Sequence, residues 1–439
     1  METLILVLAI GAGVVLLALA MWYVEVAMVL FLTAPLVKLA IMAAVPIARE
    51  WDYTGLVLIL LACSSAFYIL RKGMGESKLF LGFFGMLAVI VAILGVSYIY
   101  SPSTVDAPDK LKKIAIILPM SLMIPILYLK NEKQARRLGF WTALIGFLVA
   151  LGTVVSPTAS IQGSESRGTF LESSSLETAS TIVYGVIFAL VLGFDKAIIK
   201  RYRICFLLSL PVMLLGLFYT GSRGPLLGLG VCVVLFMWFN RRDLGLTGTV
   251  GIIMALCVCG VLVVAFLPEA YWRRFALMLG SDKDVSFGED RFALWRVAWS
   301  EGWQKPFLGH GISSFGFAAG KGDSRYYPHN MFLELFYEGG ILPTLVAMVL
   351  VIMTIFKMNS LLKFLKGSYL YPMALGFVLA LTSSFLDALK SGDLSDNRRM
   401  WFWLGCALGM FNVANNLLAR QRDAEALEYQ GALQGAGPG

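Results

Sequence analysis

Asp323-Ser324-Arg325-Tyr326-Tyr327-Pro328-His329-Asn330-Met331-Phe332-Leu333-Glu334 closes the one long polar stretch of this 439-residue chain and opens a strongly apolar run over 331–356. That run meets the roughly 20 residues a membrane-crossing helix requires. His329, one of the chain's two histidines, would then stand where an external loop meets a buried helix. An imidazole exchanges its proton near neutral pH, so a histidine at such a boundary is a candidate catalytic group. The local alternative is that His329 and Asn330 only satisfy the free N–H groups of a helix start.

Composition extends the same conclusion to the whole chain. Hydrophobic residues make up 58% and charged residues 15%, with a mean hydropathy of +0.77. A soluble domain carries about a quarter charged residues, so the expected class is an all-α integral membrane protein. The apolar runs are continuous rather than alternating, which excludes a β-barrel. The first run has Glu2 as its only early charge and passes into further apolar sequence, so a cleavable signal peptide is not expected. Spans read at 53–70, 79–100, 111–129, 138–155, 178–193, 202–220, 223–239, 247–267, 331–356, 368–388 and 399–418. Residues 3–48, interrupted by Glu25, Pro35, Lys38 and Pro46, add one or two. The expected total is about 12–13 transmembrane helices. Residues 1–419 form the polytopic domain, which includes a partly helical external loop at 268–330. Residues 420–439 form a polar tail expected to be disordered.

The net charge of +8 does not indicate nucleic acid, because the charges are distributed by loop. One set of connections holds Arg71, Lys72, Lys78, Lys130, Lys133, Arg136, Arg137, Lys196, Lys200, Arg201 and Arg203, then Arg241, Arg242, Lys357, Lys363, Lys366, Arg420 and Arg422. The alternate short loops hold about half as many, among them Lys110, Arg167, Arg223, Lys390, Arg398 and Arg399. The positive-inside rule makes the first set cytoplasmic and turns the 268–330 loop, with His329, outward. Arg167, Arg223, Arg291 and Arg296 then lie on the outer side, where arginine is disfavoured unless fixed anions recruit it.

Within the long loop, Phe292, Trp295, Trp299 and Trp303 recur at helical spacing, a stripe suited to the membrane interface. The same helix can be read as a plug whose arginines touch lipid phosphates. The six cysteines all fall in apolar runs and read as small buried residues. No P-loop, dinucleotide fingerprint or zinc signature is present. Asp387 and Asp393 read as solvated loop carboxylates. Glu334 reads as a helix N-terminal acid, and Glu338 as a partner for His329 or nearby arginines. Tyr326 and Tyr327 read either as sugar-stacking rings or as interface anchors. His310, between Gly309 and Gly311, reads as a turn residue.

Three segments carry a family resemblance. Thr220-Gly221-Ser222-Arg223-Gly224-Pro225 is similar to a Ser-Arg-Gly motif at the start of a span. Asp290-Arg291-Phe292-Ala293-Leu294-Trp295, with Lys305-Pro306-Phe307-Leu308-Gly309-His310-Gly311, is similar to an Arg-x-x-x-Trp…Pro-x-x-Gly-x-Gly motif. His329-Asn330-Met331-Phe332-Leu333-Glu334-Leu335-Phe336-Tyr337-Glu338-Gly339-Gly340 is similar to a His-Asn…Glu-x-Gly motif. In this order they resemble the O-antigen ligase and polymerase superfamily of bacterial envelope glycosyltransferases, and Arg167-Gly168-Thr169-Phe170 adds to the likeness. His310 as the middle residue of Gly-x-Gly, and Pro343 where a glycine is common, depart from the pattern.

The resemblance implies a GT-C-type bundle in the bacterial inner membrane. It would transfer a glycan from undecaprenyl diphosphate to an acceptor sugar on the periplasmic face, without metal or nucleotide sugar. Lipid A-core is the expected acceptor for a ligase. A second lipid-linked glycan would serve a polymerase, and a protein would serve an O-oligosaccharyltransferase. Arg223, Arg291 and His329 carry over as the functional residues, with Arg167, Arg296, Asn330, Tyr326, Tyr327 and Glu338 placed around substrate. The chemistry suits them: a neutral imidazole can take the acceptor's hydroxyl proton, and guanidinium groups pair with diphosphate oxygens. A transporter or flippase is the rival of another class, but such proteins concentrate charge near the midplane and show inverted repeats. Here the unusual residues gather on one face.

Overall fold

A computed structural model describes residues 18–36, 53–72, 78–155, 158–162, 165–169, 174–266 and 291–435. The protein is an all-α integral membrane protein. In chain order the helices are α1 (Val24–Leu32), α2 (Tyr53–Lys72), α3 (Lys78–Tyr98), α4 (Asp106–Tyr128), α5 (Glu132–Val155), α6 (Ser175–Phe194), α7 (Lys200–Tyr219) and α8 (Arg223–Phe266). They continue with α9 (Arg291–Gly302), α10 (Phe315–Ala318), α11 (Met331–Gly339), α12 (Ile341–Phe364), α13 (Tyr371–Ala388) and α14 (Arg398–Gly435). Among the described residues nine helices are long and apolar enough to cross a membrane, and the shorter apolar Gly55–Arg71 lies within α2. Most of the 3–48 stretch, and the loop segment 267–290 with its Glu289 and Asp290, fall outside the described residues.

α6 is the most enclosed span among those described, packed by α5 and α7 on one side and by α8 and α13 on another. Its Phe188 meets Phe377 of α13 at 5.4 Å and Trp403 of α14 at 5.4 Å, ring centre to ring centre. Lipid gives little hydrophobic drive between helices, so close contact of small residues does the work. A Cβ on Gly146 of α5 would fall 2.5 Å from the Cα of Gly185 in α6, and one on Gly216 of α7 would fall 2.8 Å from the Cα of Ala150. α4 and α14 form another extensive pair, with Gly405 so close to α4 that a Cβ would stand 2.4 Å from the Leu122 carbonyl.

Four expectations change. The 331–356 run is two helices, because the chain breaks at Gly340 (φ 84°). α11 is a buried nine-residue helix, and the span proper starts at Ile341. The break is forced by packing: a Cβ at Gly340 would lie 2.4 Å from the Phe307 carbonyl, and the Ile341 amide donates to the Pro306 carbonyl at 2.7 Å. The expected loop around 158–169 contains an antiparallel hairpin, β1 (Thr158–Gln162) with β2 (Glu165–Thr169), in which Arg167 stands opposite Ser160. The 223–239 and 247–267 spans join in α8 across a non-helical Gly245 (φ 59°). α14 runs past the expected end at 418 and stays helical to Gly435. The cysteine reading also needs correction, since Cys63 and Cys205 are exposed while Cys232 and Cys406 are buried.

Substituting Gly340 tests the break. Gly340→Ala combines left-handed backbone strain with overlap on Phe307, and should cost about 2 kcal/mol or more. The measurement is a drop in the thermal midpoint of the purified protein, while Gly82→Ala, in open space on α3, should leave the midpoint nearly unchanged.

Candidate active site

α11 is held by a buried charge cluster. Lys110 Nζ of α4 lies 2.5 Å from Glu334 and 2.7 Å from Glu338, and all three side chains are almost wholly buried. Glu334 and Glu338 are one helical turn apart, so a single ammonium reaches both. Glu334 also accepts from the Leu394 amide at 2.8 Å, which ties α11 to the α13–α14 connection. Burial pushes the Glu334 carboxyl upward, against the pull of Lys110. Glu334 is therefore an ion-pair partner rather than a dipole-satisfying acid, and Glu338 is buried in the packing instead of lying open to substrate. Lys110 was expected on an outer loop; it is inside the first turns of α4.

The same correction applies around the α13–α14 connection. Asp393 is buried rather than solvated. It accepts from Arg325 at 2.8 and 3.0 Å, from the Ser395 hydroxyl at 2.6 Å and from the Asp396 amide at 2.8 Å. Burial opposes its ionisation, but Lys110 and Arg325 outweigh burial and hold it below the usual carboxylate range. Asp387 is buried too, receiving the Ser180 hydroxyl at 3.2 Å. Arg398 and Arg399, counted among the outer charges, are drawn into the first turn of α14, where Arg398 lies over the Phe31 ring and Arg399 pairs with Glu177.

Asn330 is the N-cap of α11. Its Oδ1 accepts from the Phe332 and Leu333 amides at 3.0 and 3.2 Å, while its Nδ2 donates to the Leu389 carbonyl at 3.1 Å. The capping role falls to Asn330. His329, just before it, has φ 56°, an uncommon backbone for a residue with a Cβ. Partly buried His329 meets the Tyr327 ring edge-on at 4.6 Å. The Tyr327 phenol is pushed up to about 12, first by burial and then by Asp393 and Asp396.

One residue along, the same turn receives the other two motifs. Arg291, the first residue of α9, donates from Nη1 to the Lys390 carbonyl at 2.5 Å. Lys390 Nζ donates to the Gly224 carbonyl at 2.6 Å and stands 3.6 Å from Asp387. Gly224 follows Arg223 at the exposed start of α8, and a Cβ there would press to 2.9 Å of the Lys390 Cε. A Cβ at Gly228, one turn on, would meet the Ser383 hydroxyl at 3.2 Å. The two glycines thus let α8 lie close to α13. Burial lowers the Lys390 ammonium, and Arg291 adds to that lowering while Asp387 resists it.

The remaining candidates separate. Tyr326 turns away to stack on Phe315 (6.2 Å, 7°), with the Lys321 ammonium 5.6 Å from its ring centre. Arg296 is exposed on α9, away from the face that buries Leu294, Ala298 and Gly302. Trp299 and Trp303 pack in part on Phe336 of α11 and stay about half exposed, as interface tryptophans would. Arg167 lies in β2, whose backbone approaches α6 and α7. His310 is structural: its ring stacks on Tyr337 (4.6 Å, 9°), with Nε2 placed 2.9 Å from the Glu301 carbonyl. Among the described residues no group of three or more His, Cys, Asp or Glu side chains has an arrangement able to hold a metal ion. Sequence reasoning missed Lys390 and Arg325. A lysine beside a span end and an arginine in a polar loop carry no signal until their partners are known.

Residues 208–346 match the O-antigen ligase family. The likeness is to an O-antigen ligase domain and covers 139 of the 439 residues. The match runs from within α7 into the start of α12 and takes in Arg223, Arg291 and His329, while Lys390 and Asp393 lie beyond it. This likeness supports a general role in transferring lipid-linked glycans. No curated protein matches the chain.

Two outcomes check this geometry. Lys110→Met leaves two carboxylates buried without their cation and should destabilise the domain by about 3–5 kcal/mol. Adding Glu334→Gln and Glu338→Gln should recover part of that loss in thermal melts. Asp323 caps α4 from outside the spans: it accepts from the Ser103 hydroxyl at 2.6 Å and from the Thr104 and Val105 amides at 2.8 and 3.0 Å. These hydrogen bonds, the Ser103 hydroxyl first, hold its carboxyl down at about 2. With the folded value depressed, the cap contributes fully above the ordinary carboxylate value of about 4 and is lost as pH falls through about 2. Thermal melts across that window should show a smaller pH dependence for Asp323→Asn than for the parent.

Proposed function

We propose that the site transfers a glycan from undecaprenyl diphosphate to a sugar hydroxyl of lipid A-core, on the periplasmic side of the bacterial inner membrane. The observation that carries this reading is convergence. The Arg-Gly segment of α8, the arginine that opens α9 and the His-Asn pair that opens α11 are drawn to the single turn formed by Leu389 and Lys390. Together they gather three cations and one imidazole at one end of the bundle. Transfer needs that set: one group to take a proton and several to hold a departing diphosphate.

In this reaction the acceptor oxygen forms a bond to the anomeric carbon as the bond from that carbon to the phosphate oxygen breaks. His329 takes the hydroxyl proton. The electron pair of the broken bond leaves on the diphosphate, which stays attached to its polyprenyl chain. Attack from the face opposite the leaving group inverts the anomeric configuration. Arg223 and Arg291 present fixed donors to the phosphate oxygens, and Lys390 adds a third positive charge beside them. In this proposal the cations take the charge-stabilising role that a metal ion has in metal-dependent transferases. An anion bound here would also relieve the crowding of Lys390 against Arg291.

His329→Ala should lower transfer by about 10²–10⁴-fold, and Arg291→Ala by about 10²–10³-fold, each with normal insertion and elution. Activity is read as product formed by purified protein from a lipid-linked donor. Normal product from well-folded His329→Ala would overturn the base assignment. A rate that stays flat between about pH 5.5 and 8 would leave His329 as an acceptor-orienting residue instead. Supplying donor with and without lipid A-core separates the acceptors, and chain growth without the core would replace ligation by polymerisation.

A further inference from the structure

A cavity of about 720 Å³ sits where α4 passes into α5, against the start of α1, the end of α2 and the middle of α14. α4 connects the two sites. Its first residues are capped by Asp323, and its last, Tyr128, lines the cavity, about 34 Å away at 1.5 Å rise per residue. None of the transfer motifs reaches it, and it lies outside residues 208–346.

Arg71, Lys130, Lys133 and Arg137 line this cavity. Three of them lie over aromatic rings: Arg71 5.7 Å from Trp22 and 5.2 Å from Phe67, Lys130 5.5 Å from Tyr68, and Arg137 5.3 Å from Tyr23. Among the described residues Glu25, fully buried behind Arg137 at 3.9 Å, is a carboxylate that faces this set. Glu132 and Asp195 are engaged by Arg136. Among the described lining residues positive charge is therefore in excess, around a space large enough for a ligand. The walls are also preformed. Gln134 accepts from the Lys130 and Asn131 amides at 2.9 and 3.2 Å and donates to the Tyr68 hydroxyl at 2.7 Å, while Asn416 donates to the Lys130 carbonyl at 2.9 Å. Beside it, Trp22 is 70% and Leu70 85% exposed, an apolar flank that continues outward from the charged ring.

We propose that this cavity binds a phosphate group, and that the apolar flank makes its source the headgroup of an anionic membrane lipid. The cations hold the phosphate, their rings keep them extended around it, and the acyl chains run over Trp22 and Leu70. Basic pockets between helices on the positively charged side of a membrane protein suit such headgroups. The site is independent of glycan transfer.

The test uses full-length protein in mild detergent, offered equal amounts of phosphatidylglycerol and phosphatidylcholine, with retained lipid read by native mass spectrometry. Arg71→Gln and Lys133→Gln alter exposed side chains and should each reduce retained phosphatidylglycerol about fivefold, with phosphatidylcholine unchanged. Should Arg71→Gln disturb folding, Lys133→Gln on the exposed side of α5 is read alone. Equal retention of both lipids, or phosphatidylglycerol undiminished in the variants, overturns the proposal. Inorganic phosphate is the second probe. If it raises the melting point of the parent but not of a variant carrying both Arg71→Gln and Lys133→Gln, without any preference for phosphatidylglycerol, the cavity takes a soluble phosphate and the lipid assignment falls.

Discussion

The position of α11 depends on one buried ammonium. A nine-residue helix has too few hydrogen bonds to hold itself together, and α11 begins beside a left-handed His329 and ends at a left-handed Gly340. Lys110 fixes it from α4 by taking both of its carboxylates. Such a cluster stabilises little in net terms, because three desolvated charges must be compensated by their mutual attraction. Its effect is to allow one register only. A shift of α11 by a residue would carry Glu334 and Glu338 off the face that meets Lys110 and leave buried charge unpaired. The orientation of the His-Asn pair at the α11 N-terminus thus follows from a residue more than 200 positions earlier in the chain.

The glycines of the motifs divide their letters into packing and chemistry. At Gly309 a Cβ would fall 2.4 Å from the Glu338 carbonyl, and at Gly311 it would fall 2.6 Å from the Ser101 Cα. The Gly311 amide donates to the Glu338 carbonyl at 3.0 Å. The Pro-x-x-Gly-x-Gly segment is therefore the surface against which the end of α11 is seated. His310, the unusual middle residue, fits because its ring can lie flat on Tyr337. Gly224 has the matching role on α8, clearing the path of the Lys390 side chain. With those letters assigned to packing, Arg223, Arg291 and His329 are the motif residues we propose for chemistry.

Much of the bundle was legible in the sequence, because long apolar runs and lipid leave the backbone few options. The break at Gly340 was not. The hydropathy of 331–356 continues across it, and only the Gly339-Gly340 pair marks the place. Loop charges misled for a related reason. Lys110, Asp393 and Arg398 sit at span ends, where counting assigns them to water, yet each is buried by a partner distant in sequence. The family resemblance reached the three motif residues directly. It could not reach the turn that joins them, since Leu389 contributes a backbone carbonyl, and Lys390 a carbonyl as well as an amine. Main-chain acceptors carry no side-chain signature.

That turn also explains how a site built from three separate segments stays assembled. α8, α9 and α11 begin at residues 223, 291 and 331, too far apart in sequence to fix one another through local contacts. Each instead contributes one polar contact to Leu389–Lys390, and the turn is itself pinned by Leu394 to Glu334 and by Asp393 to Arg325. The chain of contacts closes on itself: Lys110 sets Glu334, Glu334 holds the connection, and the connection holds Asn330 at the N-cap of α11, one turn before Glu334. In a closed loop of this kind, loosening any one contact bears on the first turn of the short helix. The geometry around His329 is for that reason coupled to buried charges that touch no substrate.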